Sequence, residues 1–231
     1  MHLAKVKPTD LVDVKLDKEN KKNPLKGSPD EIISLFSRLK RSLPGLSSQL
    51  KAAPPYRDLS FELSLLSKAR KASVLWLMYP SEEGRVEGVL IERSEYNGVH
   101  SKQIAMPGGE REDCDMDDLA TALRECEEEL GVKVGRNNVI GALTPLYIPT
   151  SKFFVRPFVA WLPVKPVWYP DSKEVASVLS CEMSYISNKK NWGKFMVMGK
   201  QVPGFMLNNN LVWGATAMIL SELVECWSVK A

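Results

Sequence analysis

A chain of 231 residues that is 44% apolar and 26% charged can bury a full hydrophobic core, and its length suits one domain with an added arm better than two domains. The formal charge of +3 is small, and the basic excess lies largely at Lys15, Lys18, Lys21, Lys22 and Lys26, so no extended basic surface calls for nucleic acid. Cys114, Cys126, Cys181 and Cys226 form no CxxC pair and have no histidine at zinc spacing, which excludes a disulfide framework and structural zinc and fits a reducing compartment.

Residues 1–27 alternate charge with isolated apolar residues and read as a loosely ordered arm or an edge addition, with the folded domain spanning 28–231. The arm has no apolar stretch after its lysines, which argues against a secretory signal. Ser28-Pro29-Asp30-Glu31 then combines an N-cap residue, a proline at the first helical position and a glutamate at the reciprocal capping position. With Ile32, Ile33, Leu35, Phe36 and Leu39 at helical spacing, this predicts a helix to about Leu43, stopped by Pro44-Gly45.

Strand-like runs follow at Ala72 to Tyr79, Arg85 to Glu92 and Gln103 to Met106, the last leading into Pro107-Gly108-Gly109. A helix is predicted from about Asp117 to Leu130, with Gly131 at its left-handed end. Two β-rich runs, Val139 to Ile148 and Phe153 to Leu162, precede a less regular region. Phe195 to Leu207 reads as a hairpin around Gly199-Lys200, and Leu211 to Trp227 as a final helix. The longest uncharged run, Gln201 to Ser221, is interrupted by Pro203-Gly204 and Asn208-Asn209-Asn210, so no membrane span is expected and the protein reads as cytoplasmic. Strands interspersed with three helices predict an α/β fold with a mixed sheet covered by helices on both sides.

The chemistry concentrates in Arg124 to Val132, RECEEELGV. At about 100° per residue, Glu125, Glu128 and Glu129 fall within one sector of roughly 100°. Leu119, Ala122, Leu123, Cys126 and Leu130 form the adjoining stripe that would pack on the sheet, so the carboxylates border the core. Glutamates are good helix formers and acidic helix faces are usually solvated, so this run alone leaves a plain surface face open. Crowding like charges at i, i+3 and i+4 destabilises a helix by a few tenths of a kcal/mol per pair, and a hard divalent cation such as Mg²⁺ or Mn²⁺ would offset it. The Pro-Gly-Gly loop just upstream adds backbone that can approach a ligand closely.

These residues resemble the box of the Nudix family, G-x5-E-x7-R-E-U-x-E-E-x-G-U, where U is a bulky aliphatic. Arg124 to Val132 matches its second half, with Cys126 in an aliphatic position. The first half departs: from Gly109 five residues lead to Asp115, in place of glutamate, and eight residues, not seven, lead on to Arg124. That lengthening is similar to the variant in the coenzyme A diphosphatase branch. Residues 89–109 are similar to the same branch through Arg93, Ser94, His100, Gln103, Pro107, Gly108 and Gly109, although Lys102 stands where the branch has glycine and Met106 where it has phenylalanine. The resemblance covers about residues 30 to 225.

It implies a Nudix α/β/α sandwich that hydrolyses coenzyme A or acyl-coenzyme A to adenosine 3′,5′-bisphosphate and a 4′-phosphopantetheine product. Other nucleoside diphosphate derivatives such as ADP-ribose, or a binding module without turnover, are the alternatives. Glu125, Glu128 and Glu129 are implied ligands of Mg²⁺ or Mn²⁺, and Arg124 the group that holds the carboxylates by charge-assisted hydrogen bonds. Glu128 is the expected base for water, with Glu174 and Glu182 as alternatives. Arg93, His100, Gln103, Gly108 and Gly109 are expected at the substrate, with Lys102 near its phosphates. Tyr147, Phe153 and Phe154 are candidates to stack on adenine, although strand aromatics usually belong to the core. The partner is a small nucleotide-like molecule, with neither nucleic acid nor membrane expected and a homodimer left open.

Overall fold

The computed structural model describes Leu25 and residues 27–55, 68–95 and 103–228. His100, Lys102 and the expected arm up to residue 24, together with residue 26, lie outside the described residues. At the centre runs β1 (Arg70–Pro80), joined by a tight turn to β2 (Val86–Arg93). The two strands pair only next to that turn, from Met78↔Gly88 to Pro80↔Val86. Beyond it they part, and two short strands fill the gap. β3 (Ile104–Ala105) pairs with β2, while β4 (Gly108–Glu110) pairs with β1 at Ala72 to Val74.

β5 (Val139–Ala142), β6 (Leu146–Ile148), β7 (Phe153–Trp161) and β8 (Val175–Glu182) complete this sheet. β7 runs parallel to β1 over their shared length, and the other pairings are antiparallel, so the sheet is mixed as predicted. β1 is buried on both faces, which explains why Val74 to Tyr79 is a continuous apolar run and not an alternating one. Leu75, Leu77 and Tyr79 pack under α3 (Asp118–Leu130) together with Leu119, Ala122, Cys126 and Leu130. Trp76 and Met78 face the opposite layer, built by α1 (Asp30–Leu39) and α5 (Gly214–Ser228). The result is a three-layer α/β/α arrangement.

Several element ends differ from the expectation. α1 covers ten residues and stops at Leu39, and Pro29 takes the N-cap position without a side-chain cap, so the reciprocal cap from Ser28 and Glu31 does not form. Pro44-Gly45 instead leads into the short α2 (Leu46–Gln49), tied to α5. Val139 to Ile148 is broken into β5 and β6, because the Leu143 N–H bonds to Pro157 O and Thr144 turns to the buried Glu222. The less regular region contains β8, paired along β2, and the short α4 (Met183–Ser187).

β9 (Trp192–Val197) and β10 (Lys200–Leu207) form the expected hairpin, turning at Met198 and Gly199, both at positive φ. Leu211 to Trp213, expected as helix, belong to β11 (Asn210–Trp213), and α5 starts only at Gly214. Leu25 is buried in the core, so the end of the expected arm packs on the domain. Among the described residues no helix is long and apolar enough to cross a membrane.

Candidate active site

The gap where β1 and β2 part is also where the chemistry collects. Gly108 sits in β4 with φ 150°, a conformation that favours glycine, and a Cβ there would lie 2.3 Å from Ser73 O. Only a glycine lets β4 close on β1 at this point. At Gly109 a Cβ would lie 2.4 Å from Oε1 of Glu125, so the carboxylate of α3 rests directly on the bare backbone. The Pro-Gly-Gly loop therefore receives the acidic helix face, as its composition suggests.

α3 is positioned by its own ends. The Asp117 side chain accepts from Ala120 N at 2.7 Å at the N-cap, and Gly131 at φ 66° closes the other end by donating to Glu127 O. This rotation buries Leu119, Ala122, Cys126 and Leu130 and carries Glu129 into the buried face, where 1% of it is exposed. Glu125 is largely buried beside it, and Glu128 remains 55% exposed at the rim.

Glu125, Glu128 and Glu129 each face an arginine. The Arg124 guanidinium donates to Glu128 at 2.7 Å and lies 3.0 Å from Glu125 Oε1. It is itself held from the opposite side. Nε and Nη2 donate to the two oxygens of Asp115 at 3.1 and 3.0 Å, and Nη2 also donates to Glu110 O. Asp115 is thus the anchor of Arg124, a role the sequence left undefined. The eight-residue spacing was its signal, since it places this carboxylate ahead of the helix start, where it can reach back to Arg124. Arg124 in turn keeps the buried Asp115 carboxyl down at about 2.

Glu129 has two different partners. Oε2 accepts from the Gly108 N–H at 2.8 Å, and Oε1 accepts from Nη1 of Arg93 at 3.3 Å. Arg93 ends β2 just after the register shift against β8 at Glu92/Arg93, which aims it at α3. Arg93, expected at the substrate, is therefore engaged by Glu129. Burial pushes the Glu129 carboxyl up to about 8, opposed by Gly108 N–H and Arg93 and reinforced by the nearby charges of Glu125 and Glu174. Burial likewise raises Glu125.

Among the described residues no three acidic, histidine or cysteine side chains converge as a ready metal cage. The donor set nevertheless fits a hard divalent ion. Glu125 and Glu129 offer carboxylate oxygens taken out of water, with burial and neighbouring negative charge working against their ionisation.

Glu174, at the start of β8, is close enough for its charge to be felt by Glu125 and Glu129. Glu182 lies at the far end of the same ladder, opposite Glu87, and pairs with Arg85. It is not brought to the site. A cleft of about 830 Å³ opens beside the box, lined by Arg93, Gln103, Gly108 and Gly109, by further polar side chains such as Arg70, Ser151 and Lys200, and by apolar side chains such as Val74, Ile104, Met106 and Ile219. Of the three stacking candidates only Phe153 lines it, and the Arg70 guanidinium lies 4.2 Å over its ring. Tyr147 and Phe154 face each other across β6 and β7.

Residues 69–183 match the model of the NUDIX domain. The chain is 26% identical over 185 residues to the uncharacterized Nudix hydrolase NudL of Yersinia pestis (strain Pestoides F), covering 78% of this chain and 92% of that protein. The NudL of Yersinia pseudotuberculosis serotype O:1b is similar to the same extent. Among solved structures, a MutT/nudix family protein from Enterococcus faecalis has the same fold, with a TM-score of 0.51, 14% identity, and coverage of 82% of this chain and 71% of that one.

Proposed function

Because the chain belongs to the Nudix hydrolase family and so acts on a diphosphate-bearing small molecule, we propose that its substrate is coenzyme A or an acyl-coenzyme A, cleaved to adenosine 3′,5′-bisphosphate and (acyl-)4′-phosphopantetheine. The observation that carries this reading is the continuity of the box with the apolar cleft. Gly108, Gly109 and Arg93 border both the carboxylates and the cleft, so a diphosphate at the glycines sends one arm of its molecule along an apolar wall. A pantetheine arm, long and weakly polar, suits that wall. The second sugar of ADP-ribose, whose hydroxyls each need a polar partner, suits the Val74, Ile104, Met106 and Ile219 part of that wall less well.

Glu125, Glu128 and Glu129 would hold Mg²⁺ or Mn²⁺. Such an ion, when bound, lowers the charge of the diphosphate and the pKa of a water at the site. The protein's own groups do the rest. Arg124, fixed by Asp115, sets the orientation of Glu125 and Glu128. Glu128, at the exposed rim, accepts the proton of the water whose oxygen forms the new bond to phosphorus as the bridging P–O bond breaks. Glu174 is the alternative acceptor, since it faces the same carboxylates from β8. Gln103, Gly108 and Gly109 position the substrate at the mouth of the cleft.

The test is product analysis with Mg²⁺ and Mn²⁺ over coenzyme A, its 3′-dephospho form, octanoyl-coenzyme A and ADP-ribose. The expected result is metal-dependent release of adenosine 3′,5′-bisphosphate, with a specificity constant about tenfold or more above that for ADP-ribose. Preference for ADP-ribose would overturn the substrate assignment and leave the hydrolase.

A further inference from the structure

We infer that the outer end of the cleft seats an apolar acyl chain carried by the substrate, with Val197 and Met198 at the tip of the β9–β10 hairpin as the side chains that set the preference for it. The inference rests on the coenzyme A reading above and goes beyond it by placing the acyl group. The hairpin lies past residues 69–183, the part of the chain that matches the NUDIX domain. Its base is fixed in the core. Val202 and Phe205 are fully buried, the Phe205 ring centre lies 4.9 Å from that of Trp192, and the Tyr185 hydroxyl donates to Met206 O. β11 ends at Trp213, opposite Gly204, and from Pro203 to Lys200 β10 is paired with β9 alone among the described residues. The tip therefore projects about 13 Å past β11. There Val197 and Met198 line the cleft.

The length of the substrate fits this placement. Val74 pairs with Gly108, and Arg70, earlier on β1, pairs with Phe153, which also lines the cleft. The rise along β1 and the two strand spacings between β4 and β7 put Phe153 about 16 Å from Gly108. A pantetheine arm has about twelve bonds between its phosphate oxygen and its sulfur, a reach on the order of 15 Å when extended. A thioester then lies level with Phe153, and the acyl chain continues outward. Met198 is 94% exposed, so it stands at the rim of the cleft as an apolar side chain in water, and its unbranched thioether adapts to chains of different shape. Arg70 lines the cleft too, but its guanidinium is paired with Glu110 and covers Phe153, so its charge is already met. Lys200, exposed at the tip, can lay its alkyl stem along a chain and keep its ammonium in water. An acyl group that ends in a carboxylate is the less suited occupant.

The test is the specificity constant for coenzyme A and for butanoyl-, octanoyl- and succinyl-coenzyme A at saturating Mg²⁺. The proteins are wild type, Val197→Ser combined with Met198→Ser, and Met196→Ser, whose methionine is exposed on the same hairpin but does not line the cleft. Wild type is expected to favour octanoyl-coenzyme A over coenzyme A about tenfold, with butanoyl-coenzyme A in between, because each added methylene leaves water for the seat. The double variant is expected to bring that ratio close to one, and Met196→Ser to keep it. Each ratio is taken within one protein, so a smaller folded fraction cancels. The inference falls, and the coenzyme A reading stands, if the wild-type ratio is near one, if the double variant keeps the wild-type ratio, if Met196→Ser lowers it as much, or if succinyl-coenzyme A is favoured over octanoyl-coenzyme A. If ADP-ribose is cleaved and none of the coenzyme A compounds is, that reading falls and the inference falls with it.

Discussion

Glu129 and Glu222 are both glutamates on helices packed against the sheet, and both are essentially fully buried. Their surroundings are opposite. Among the described residues Glu222 in α5 accepts only from neutral donors: Gly45 N–H, Gln49 Nε2, Thr144 N–H and the Thr144 hydroxyl. It ties α2 and the β5–β6 connection to the helix. Glu129 has one backbone donor and one long arginine contact, and it feels the charges of Glu125 and Glu174. Burial by itself therefore does not mark a site. What separates the two is whether the neighbours complete the carboxylate's hydrogen bonds or leave negative charge that calls for a cation.

The largest effect that would separate them is catalytic. Glu129→Gln is expected to lower turnover by about a hundredfold or more while leaving the melting temperature unchanged or raised, because it removes a ligand whose charge is a liability without metal. Activity within a few-fold of wild type, in any assay that detects the hydrolase, would erase the distinction.

A second test uses pH in the metal-free protein. The folded-state pKa of Glu129 is raised to about 8 from an ordinary value of 4.5, so between these values the folded state binds the extra proton. Stability from this group is then full below about pH 4.5 and declines as pH rises through 8, by on the order of 5 kcal/mol. Glu222 is also raised by burial, so it contributes in the same direction. Mg²⁺ should cancel the Glu129 share and leave that of Glu222, which denaturant titrations at pH 5, 7 and 9 with and without Mg²⁺ would measure.

Glu222→Ala should destabilise the protein by about 2 to 3 kcal/mol, because four donors lose their acceptor, while turnover at low temperature stays within a few-fold. A large loss of turnover in a folded variant would make Glu222 part of the site. The smallest expected change concerns Asp115. Its pKa is held at about 2 against an ordinary 3.8, so the stability it contributes is complete above about pH 3.8 and is lost as pH falls toward 2. Asp115→Asn should remove about 2 kcal/mol at neutral pH and flatten this acid limb.

Much of the site was legible because it is local. RECEEELGV places its carboxylates by helix periodicity alone, and Gly108-Gly109 announces close backbone approach; the structure joins these two features directly. What was not legible depends on distant pairing. β8 carries Val175 and Val178 toward one core and Leu179 and Cys181 toward the other, with no clean alternation in its sequence, and only its ladder with β2 brings Glu174 near the box and takes Glu182 away from it. The Arg93–Glu129 pair rests on the bulge at the end of β2, and no spacing rule predicts a bulge there. Leu211 to Trp213 carry the apolar character of the following helix, but pairing with β10 takes them into the small second sheet. Local propensity lost to strand pairing there.

Binding of Mn²⁺ to wild type, Glu129→Gln and Glu222→Gln, followed by electron paramagnetic resonance of the free ion, tests most directly the claim that Glu129 and not Glu222 is the buried glutamate of a metal site. The account predicts that wild type and Glu222→Gln take up the ion alike and that Glu129→Gln takes up little or none. Equal uptake by all three proteins would contradict it.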